Sequence, residues 1–393
     1  MERNTKYKSL YEVLRREILD GKYDRHERFP SEGQLVRRFG VSRPTVERAL
    51  LELKHEGLLG SRAGSGFFLS ALTREPVGNL GAIVPDYLKI DFFTTVCNEL
   101  SRAGRAAGYN VLLGDVPRGG DRVQNTLALA HRLAAQKVAG VFLEPIDLVS
   151  DSTTATRTVI RILTEANIPV VLLDRDIEPP PSRSGYDLVG IDNVQAGYRA
   201  ARHLLERGAQ NIRFLTCPDA ASTIRQRIQG VAQAVMDAGL RWTASHVIDC
   251  DPSDTQAIAA LFRKSTPPDA FVCRNDPLAG YLLQTLVRLG KRVPRDVMVA
   301  GFDDAEFAQF LSPALTSIRQ PCRLIAEAAL EMLLQRIRRP NMPARAVLLD
   351  VELIPRASTA RTNAHARVNS RAVRGSRPGA ETRCGKALPR RDA

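Results

Sequence analysis

Residues 31–53 read Ser-Glu-Gly-Gln-Leu-Val-Arg-Arg-Phe-Gly-Val-Ser-Arg-Pro-Thr-Val-Glu-Arg-Ala-Leu-Leu-Glu-Leu, and residues 60–69 read Gly-Ser-Arg-Ala-Gly-Ser-Gly-Phe-Phe-Leu. This order predicts a helix, a tight turn, a second helix and then a β-hairpin. Leu35 and Phe39 put an apolar face on the first helix. Gly40 permits the turn, Ser42 can cap the next helix, and Pro44 is tolerated in its first turn. Val46, Leu50 and Leu53 recur at helical spacing and face inward. That leaves Arg43, Thr45, Glu47 and Arg48 near the exposed start of the second helix, where a recognition helix meets base edges. Two unrelated helices can share such spacing. The hairpin that follows directly selects a winged helix-turn-helix, and with it a DNA-binding domain.

The chain has 393 residues, enough for two or three domains, and its 44% hydrophobic and 25% charged residues are ordinary for a soluble globular protein. The formal charge of +13 is uneven: residues 1–70 carry a net +4, residues 361–393 a net +7, and the long middle only +2. A polyanion therefore suits the two ends, and something small or uncharged suits the middle. Cys97, Cys217, Cys250, Cys273, Cys322 and Cys384 are scattered, with no Cys-x-x-Cys and no His at ligand spacing, which argues against zinc and against a disulfide framework. The polar start lacks a secretory core and no apolar run reaches a membrane span, so a cytoplasmic protein is expected.

After Leu69 a short polar segment with Pro76 and Gly78 reads as a linker, assigned to 71–79, without an evident hinge-helix pattern. Beyond it strands and helices alternate. The expected strands are 80–85, 110–114, 139–143, 169–174, 188–191, 212–216, 247–249, 270–273, 297–302 and 316–319, with a closing strand at 347–353. Helices are expected at 93–107, 194–207, 228–238, 278–289 and 324–338, and a helical turn at 305–310. Such alternation implies parallel sheets covered by helices, and ten strands suit two lobes better than one sheet. The stretch 361–393, rich in Arg, Gly, Ser, Pro and Ala, is expected to be a basic disordered tail, either adding nonspecific DNA affinity or simply solvated.

Residues 7–69 resemble the GntR-type winged-helix regulators. The likeness rests on Phe29-Pro30-Ser31-Glu32, Val41-Ser42-Arg43-Pro44-Thr45-Val46, Ala49-Leu50, Leu53, Glu56-Gly57-Leu58 and the wing glycines Gly64 and Gly66. Gly33 and Glu47 stand where that family commonly has Arg, so these positions are not carried over. Arg48 and the pair Arg37-Arg38 are alternative sources of positive charge. The candidate DNA-contacting set is Ser42, Arg43, Thr45, Arg48, Arg62 and Gly64.

Residues 80–357 resemble the LacI/GalR regulators and their periplasmic sugar-binding relatives. The runs that carry this are Ile168–Arg175, Gly190-Ile191-Asp192-Asn193 with Gly197, Arg225-x-Arg227-x-x-Gly230, Asn275-Asp276-x-x-Ala279, Val293-Pro294-x-Asp296-Val297, Gly301-Phe302-Asp303-Asp304, Pro313-x-Leu315-Thr316-x-Ile318-x-Gln320-Pro321 and Ile354-Pro355-Arg356-x-Ser358. The fold class implied is α/β: an N-terminal winged helix-turn-helix (1–70) plus a two-lobed, Rossmann-like effector and dimerisation domain (80–360) of the type I periplasmic-binding-protein kind. The ribose-type pattern of those relatives falls on Phe92, Phe93, Asp174, Arg175, Arg225, Asn275, Asp303 and Gln320, and other effector-contacting positions on Thr223, Arg227 and Asp276. Ile90 departs from the Asn common two residues before the Phe pair, which weakens any claim for ribose itself.

The chemistry can also be read without the resemblance. Doubly wound sheets place ligands at the carboxyl ends of strands, where Asp174-Arg175, Asn275-Asp276 and Asp303 collect. Vicinal hydroxyls need carboxylates to accept hydrogen bonds and Arg or Asn to donate them, and sugar C–H faces pack on rings such as Phe92 and Phe93. Each residue also has a plainer reading: Phe93 as core, Asp174-Arg175 as a surface ion pair, Asp303 and Asn275-Asp276 as helix caps, and Arg227 as a clamp on its own helix. The reading that results is a homodimeric, sequence-specific transcription regulator, expected to be a repressor, with a double-stranded operator and a small sugar-like effector as partners. No cofactor motif is present, and with no Gly-x-Gly-x-x-Gly turn, P-loop, nucleophile elbow or metal set, an enzyme is disfavoured. The alternatives are a regulator with a degenerate cleft and, behind it, a sugar-transport component.

Overall fold

The computed structural model describes residues 2–19, 22–23, 28–56, 58–62, 66–69, 78–84, 91–114, 121–146, 152–217 and 221–361. Most of the expected linker (71–77), the tail from 362 onward, Gly64 and the side chain of Arg62 lie outside them.

The N-terminal unit runs α1 (Glu2–Leu19), α2 (Glu32–Phe39), α3 (Arg43–His55), β1 (Leu59–Arg62) and β2 (Gly66–Leu69). The strands pair as an antiparallel hairpin. Leu10, Leu14 and Ile18 of α1, Leu35 of α2 and Val46, Ala49, Leu50 and Leu53 of α3 share one apolar core with Phe29 and Leu59. Ser31 and Gln34 form a reciprocal capping box at the start of α2, and Gly40 ends that helix at φ +62°, a conformation that side chains disfavour. Ser42 does occupy the N-cap of α3, but its hydroxyl makes no cap bond. It pairs instead with Thr45 Oγ1 at 2.8 Å, which corrects the capping role expected from sequence.

The second unit continues β3 (Gly78–Ile83), α4 (Asp91–Ala106), β4 (Tyr109–Gly114), α5 (Arg122–Ala135), β5 (Val141–Leu143), α6 (Ser152–Glu165), β6 (Val170–Leu173) and β7 (Asp187–Ile191). Then come α7 (Asn193–Glu206), β8 (Ile212–Thr216), α8 (Ser222–Asp237), β9 (Val247–Asp249), α9 (Thr255–Phe262), β10 (Ala270–Cys273), α10 (Asp276–Arg288), β11 (Met298–Asp303) and β12 (Thr316–Arg319). Last are α11 (Cys322–Arg338), β13 (Ala346–Leu349) and β14 (Glu352–Ile354). Two six-stranded sheets result, ordered β4-β3-β5-β6-β7-β13 and β9-β8-β10-β11-β12-β14. All pairings within them are parallel except β12 with β14.

The chain crosses between the lobes three times: after β7, after β12 and between β13 and β14. Two sequence expectations change here. The single closing strand at 347–353 is two strands in different sheets, and β3 takes in Gly78 and Asn79, which had been given to the linker. The turn at 305–310 is a short 3-10 helix over Glu306–Phe310. In the second lobe α7 and α8 are in direct backbone contact. A Cβ at Gly230 would lie 1.9 Å from the Val194 carbonyl oxygen, and one at Gly197 would lie 2.0 Å from that of Arg227, so only glycine fits. Asp187, buried in β7, holds α11 through Arg336 Nε at 2.9 Å and the start of β13 through the Arg345 amide at 2.8 Å.

Candidate functional site

On the N-terminal unit, the start of α3 is open. Ser42 and Arg43 are exposed and Thr45 is half-buried. Arg43 reaches Glu32 at 2.9 Å while its side chain remains 78% exposed, so this ion pair is weak. Arg48 is exposed but laid over the Tyr7 ring, 4.0 Å from its centroid. Arg38 does not supply a free cation: it bonds Glu17 and donates to Tyr23 Oη at 2.8 Å. Burial pushes the Glu17 carboxyl upward, but hydrogen bonds from Lys22, Tyr23 and Arg38 outweigh it and hold the group at about 2. Arg37 is exposed.

Between the lobes of the second unit lies a cleft, partly open to solvent. Its walls come from the carboxyl ends of parallel strands and the helix starts that follow them, in both sheets. Phe92 and Phe93 open α4, Asp174 and Arg175 follow β6, Thr223 and Arg227 lie in the first turns of α8, Asn275 follows β10, Asp303 ends β11 and Gln320 follows β12.

These nine residues line one cavity. The two rings meet edge to face with centroids 4.8 Å apart, and both line the cleft while belonging to the core. Asn275 likewise does both, capping α10 through the Leu278 amide at 3.1 Å while lining the cleft. Arg227 donates to Asn193 Oδ1 at 2.9 Å and to the Arg274 carbonyl at 2.7 Å, its guanidinium 4.4 Å from the Phe302 centroid. Asp174 and Asp303 are held at φ +68° and +98°. Such backbone strain at non-glycine residues persists where surrounding structure enforces it, and it is common at ligand clamps.

Two expected site residues are placed elsewhere. Arg225 is exposed on α8 and outside the cleft lining. Two residues along a helix turn the side chain through about 200°, so Arg225 faces away when Thr223 and Arg227 face in. Asp276 is fully buried behind the cleft, accepting from Ser317 Oγ at 2.6 Å and the Ala305 amide at 2.8 Å. A Cβ at Gly301 would lie 2.1 Å from Asp276 Oδ1, so glycine makes room for this carboxyl. Burial and then the neighbouring Asp303 push Asp276 up to about 8. Asp303 is raised too, chiefly by burial, with Arg227 and the Gln320 bond opposing.

Arg122, Glu144 and Arg274 also line the cleft and were missed in the sequence. Glu144 stands directly after β5 and Arg274 directly after β10, the same position as the residues that were found. Arg175 lies 2.9 Å from Glu144 and 3.0 Å from Asp174, so it is a buried three-membered charge cluster and not a surface pair. Among the described residues no His, Cys, Asp and Glu group could hold a metal, and no helix is long and apolar enough to cross a membrane.

Residues 6–69 match the family described as bacterial regulatory proteins, gntR family, and residues 201–359 match the periplasmic binding protein-like domain. The chain joins a GntR-type DNA-binding domain to a periplasmic-binding-protein-like domain. It is similar to the arabinose metabolism transcriptional repressor of Geobacillus stearothermophilus, 27% identical over 370 residues that cover 90% of this chain and 97% of the relative. It is also similar to the HTH-type transcriptional repressor PurR of Photobacterium profundum, 29% identical over 68% of this chain and 77% of the relative. Among solved structures, a transcriptional regulator CelR–cellobiose complex shares the fold at a TM-score of 0.62 and 23% identity, covering 84% of this chain and all of that one. With relatives that are repressors and not enzymes, the chain is a DNA-binding transcription regulator.

Proposed function

We propose that the protein is a repressor whose affinity for its operator is set by a small sugar-like effector held in the interlobe cleft. What supports this reading is the convergence of aromatic rings, carboxylates, Arg, Asn and Gln from both lobes on one cavity at strand carboxyl ends. That the relatives include an arabinose metabolism repressor and a cellobiose-complexed regulator favours the same class of effector. In this reading residues 1–70 contact DNA, with Ser42, Arg43, Thr45 and Arg48 in the major groove and the wing at Arg62 and Gly64 near the minor groove. Residues 80–360 sense and dimerise, and the homodimer reads a two-fold operator in the cytoplasm. Sugar acts by favouring one arrangement of the lobes, relieving repression, and effector and operator affinities are then linked reciprocally.

A thermal-shift screen of the purified chain against neutral and charged sugars tests this. A concentration-dependent rise in Tm for one sugar, lost in Asp174→Ala, is expected. No shift across the panel would remove the sugar-like effector and leave a regulator with a cleft that does not sense.

A further inference from the structure

Charge is not balanced across the cleft. Among the described residues its lining holds four guanidiniums, from Arg122, Arg175, Arg227 and Arg274, against three carboxylates, from Glu144, Asp174 and Asp303. Arginine does not lose its proton in a protein, so the four positive charges are permanent. The first-lobe wall is even, with Arg122 and Arg175 set against Glu144 and Asp174. Among the described lining residues the excess sits on the second lobe, where Arg227 and Arg274 face Asp303.

The two second-lobe arginines are used differently. Arg227 is committed to Asn193, to the Arg274 carbonyl and to the Phe302 ring. The Arg274 guanidinium makes no hydrogen bond or ion pair among the described residues, and its Nε is shielded from solvent without a partner. In the same lining Gln320, 4% exposed, presents an Oε1 without a partner among the described residues. A half-shielded fork of N–H donors matches a carboxylate or phosphate, and a buried amide oxygen matches a hydroxyl.

We propose that the effector is an anionic sugar, one bearing a carboxylate or a phosphate, whose charge is met by Arg274 and whose hydroxyls are met by Gln320 and the carboxylates. The proposal rests on the sugar-like effector reading above. The described acidic residues of the adjoining cavity do not oppose it. Asp91, Asp304 and Glu306 line an adjoining cavity that shares Asp303 and Gln320 with the cleft but not Arg274. Asp304 there is paired with Arg319 at 2.7 Å and Arg356 at 2.6 Å, while Asp91 and Glu306 are exposed and screened by solvent.

The test is a thermal-shift and calorimetric comparison of matched triplets with the full chain: a neutral pentose or hexose, its sugar acid and its terminal phosphate, with sulfate as a non-sugar anion. One anionic member is expected to bind at least about tenfold more tightly than its neutral parent, and which one separates carboxylate from phosphate. Arg274→Gln should abolish that preference and Arg274→Lys should restore part of it, both with an unliganded Tm near that of the parent, because the side chain holds nothing else in place among the described residues. A neutral sugar binding as tightly as its charged derivatives, or an anion preference that survives Arg274→Gln, overturns the anionic effector and leaves the sugar reading standing. Binding by sulfate alone, or by no sugar in any triplet, overturns both.

Discussion

Gln320 donates its Nε2–H to Asp303 at 2.8 Å and leaves Oε1, its other amide atom, without a partner among the described residues. One side chain thus holds the Asp303 carboxyl and offers an acceptor to the cleft. Gln320→Ala removes both. Affinity for the effector, measured by calorimetry, is expected to fall by about tenfold or more, the scale of one lost buried hydrogen bond or two.

Stability should depend on pH through Asp276. Its carboxyl is raised to about 8 in the fold, chiefly by burial, whereas an unfolded aspartate titrates near 3.9. The unfolded chain therefore holds fewer protons here between about pH 4 and 8. Stability is complete below that window and is lost as pH rises through it, by at most about 1.4 kcal/mol per pH unit. Urea unfolding at a series of pH values is expected to show this slope in the parent and a flatter one in Asp276→Asn.

Arg175 holds a more demanding position. It lies between Glu144 and Asp174, all three nearly buried. Arg175→Ala takes the shared cation from two adjacent buried carboxylates and should destabilise the chain by about 3–5 kcal/mol in denaturant unfolding. The charge-neutral partner change Glu144→Gln should cost less, because Arg175 keeps Asp174.

The contact of α7 on α8 gives a steric prediction. Gly197→Ala and Gly230→Ala each place a methyl about 2 Å from a backbone oxygen of the facing helix. Neither backbone can move without displacing its helix, so each substitution should lower stability by about 1–3 kcal/mol, read as a lower Tm. Gly33→Ala, where nothing lies within 4 Å, serves as the comparison and should not.

Arg43 and Arg48 should behave differently in DNA binding. Arg43 keeps most of its side chain in solvent, so Arg43→Ala should weaken binding to a selected operator by about tenfold or more while leaving Tm unchanged. Arg48 also packs on Tyr7, so Arg48→Ala should lower Tm by a small amount, on the order of 0.5–1 kcal/mol, besides any change in affinity. Fluorescence anisotropy with the operator and a melt of each variant separate the two.

The alternation of short β-branched runs with helical periodicity in the sequence placed most strands of the two sheets to within a residue or two. Strand ends pointed to Phe92, Phe93, Asp174, Arg175, Asn275 and Asp303, whereas Thr223, Arg227 and Gln320 followed only from the resemblance to the LacI/GalR regulators. These features are local: a strand end, a turn glycine or a helix start is written in a few neighbouring residues. Glu144 and Arg274 carried the same local signal and went unread only because no motif drew attention to them.

Partnership across the fold was decided by the tertiary structure alone. Residues 346–354 form two strands because Leu348 and Leu353 pair in different sheets, and no pattern within nine residues encodes a change of lobe. The neighbours Asn275 and Asp276 diverge, one into the cleft and one into the core, because Gly301, Ser317 and Ala305 converge from 25 or more residues away to receive the second carboxyl. Arg38 belongs to Glu17 and Tyr23, and Arg48 to Tyr7, through the packing of α1 against the helix-turn-helix. Periodicity is a property of consecutive residues, and so the sequence determines it; the balance of charge in a cleft between lobes depends on which distant strand ends meet, and only the fold brings them together.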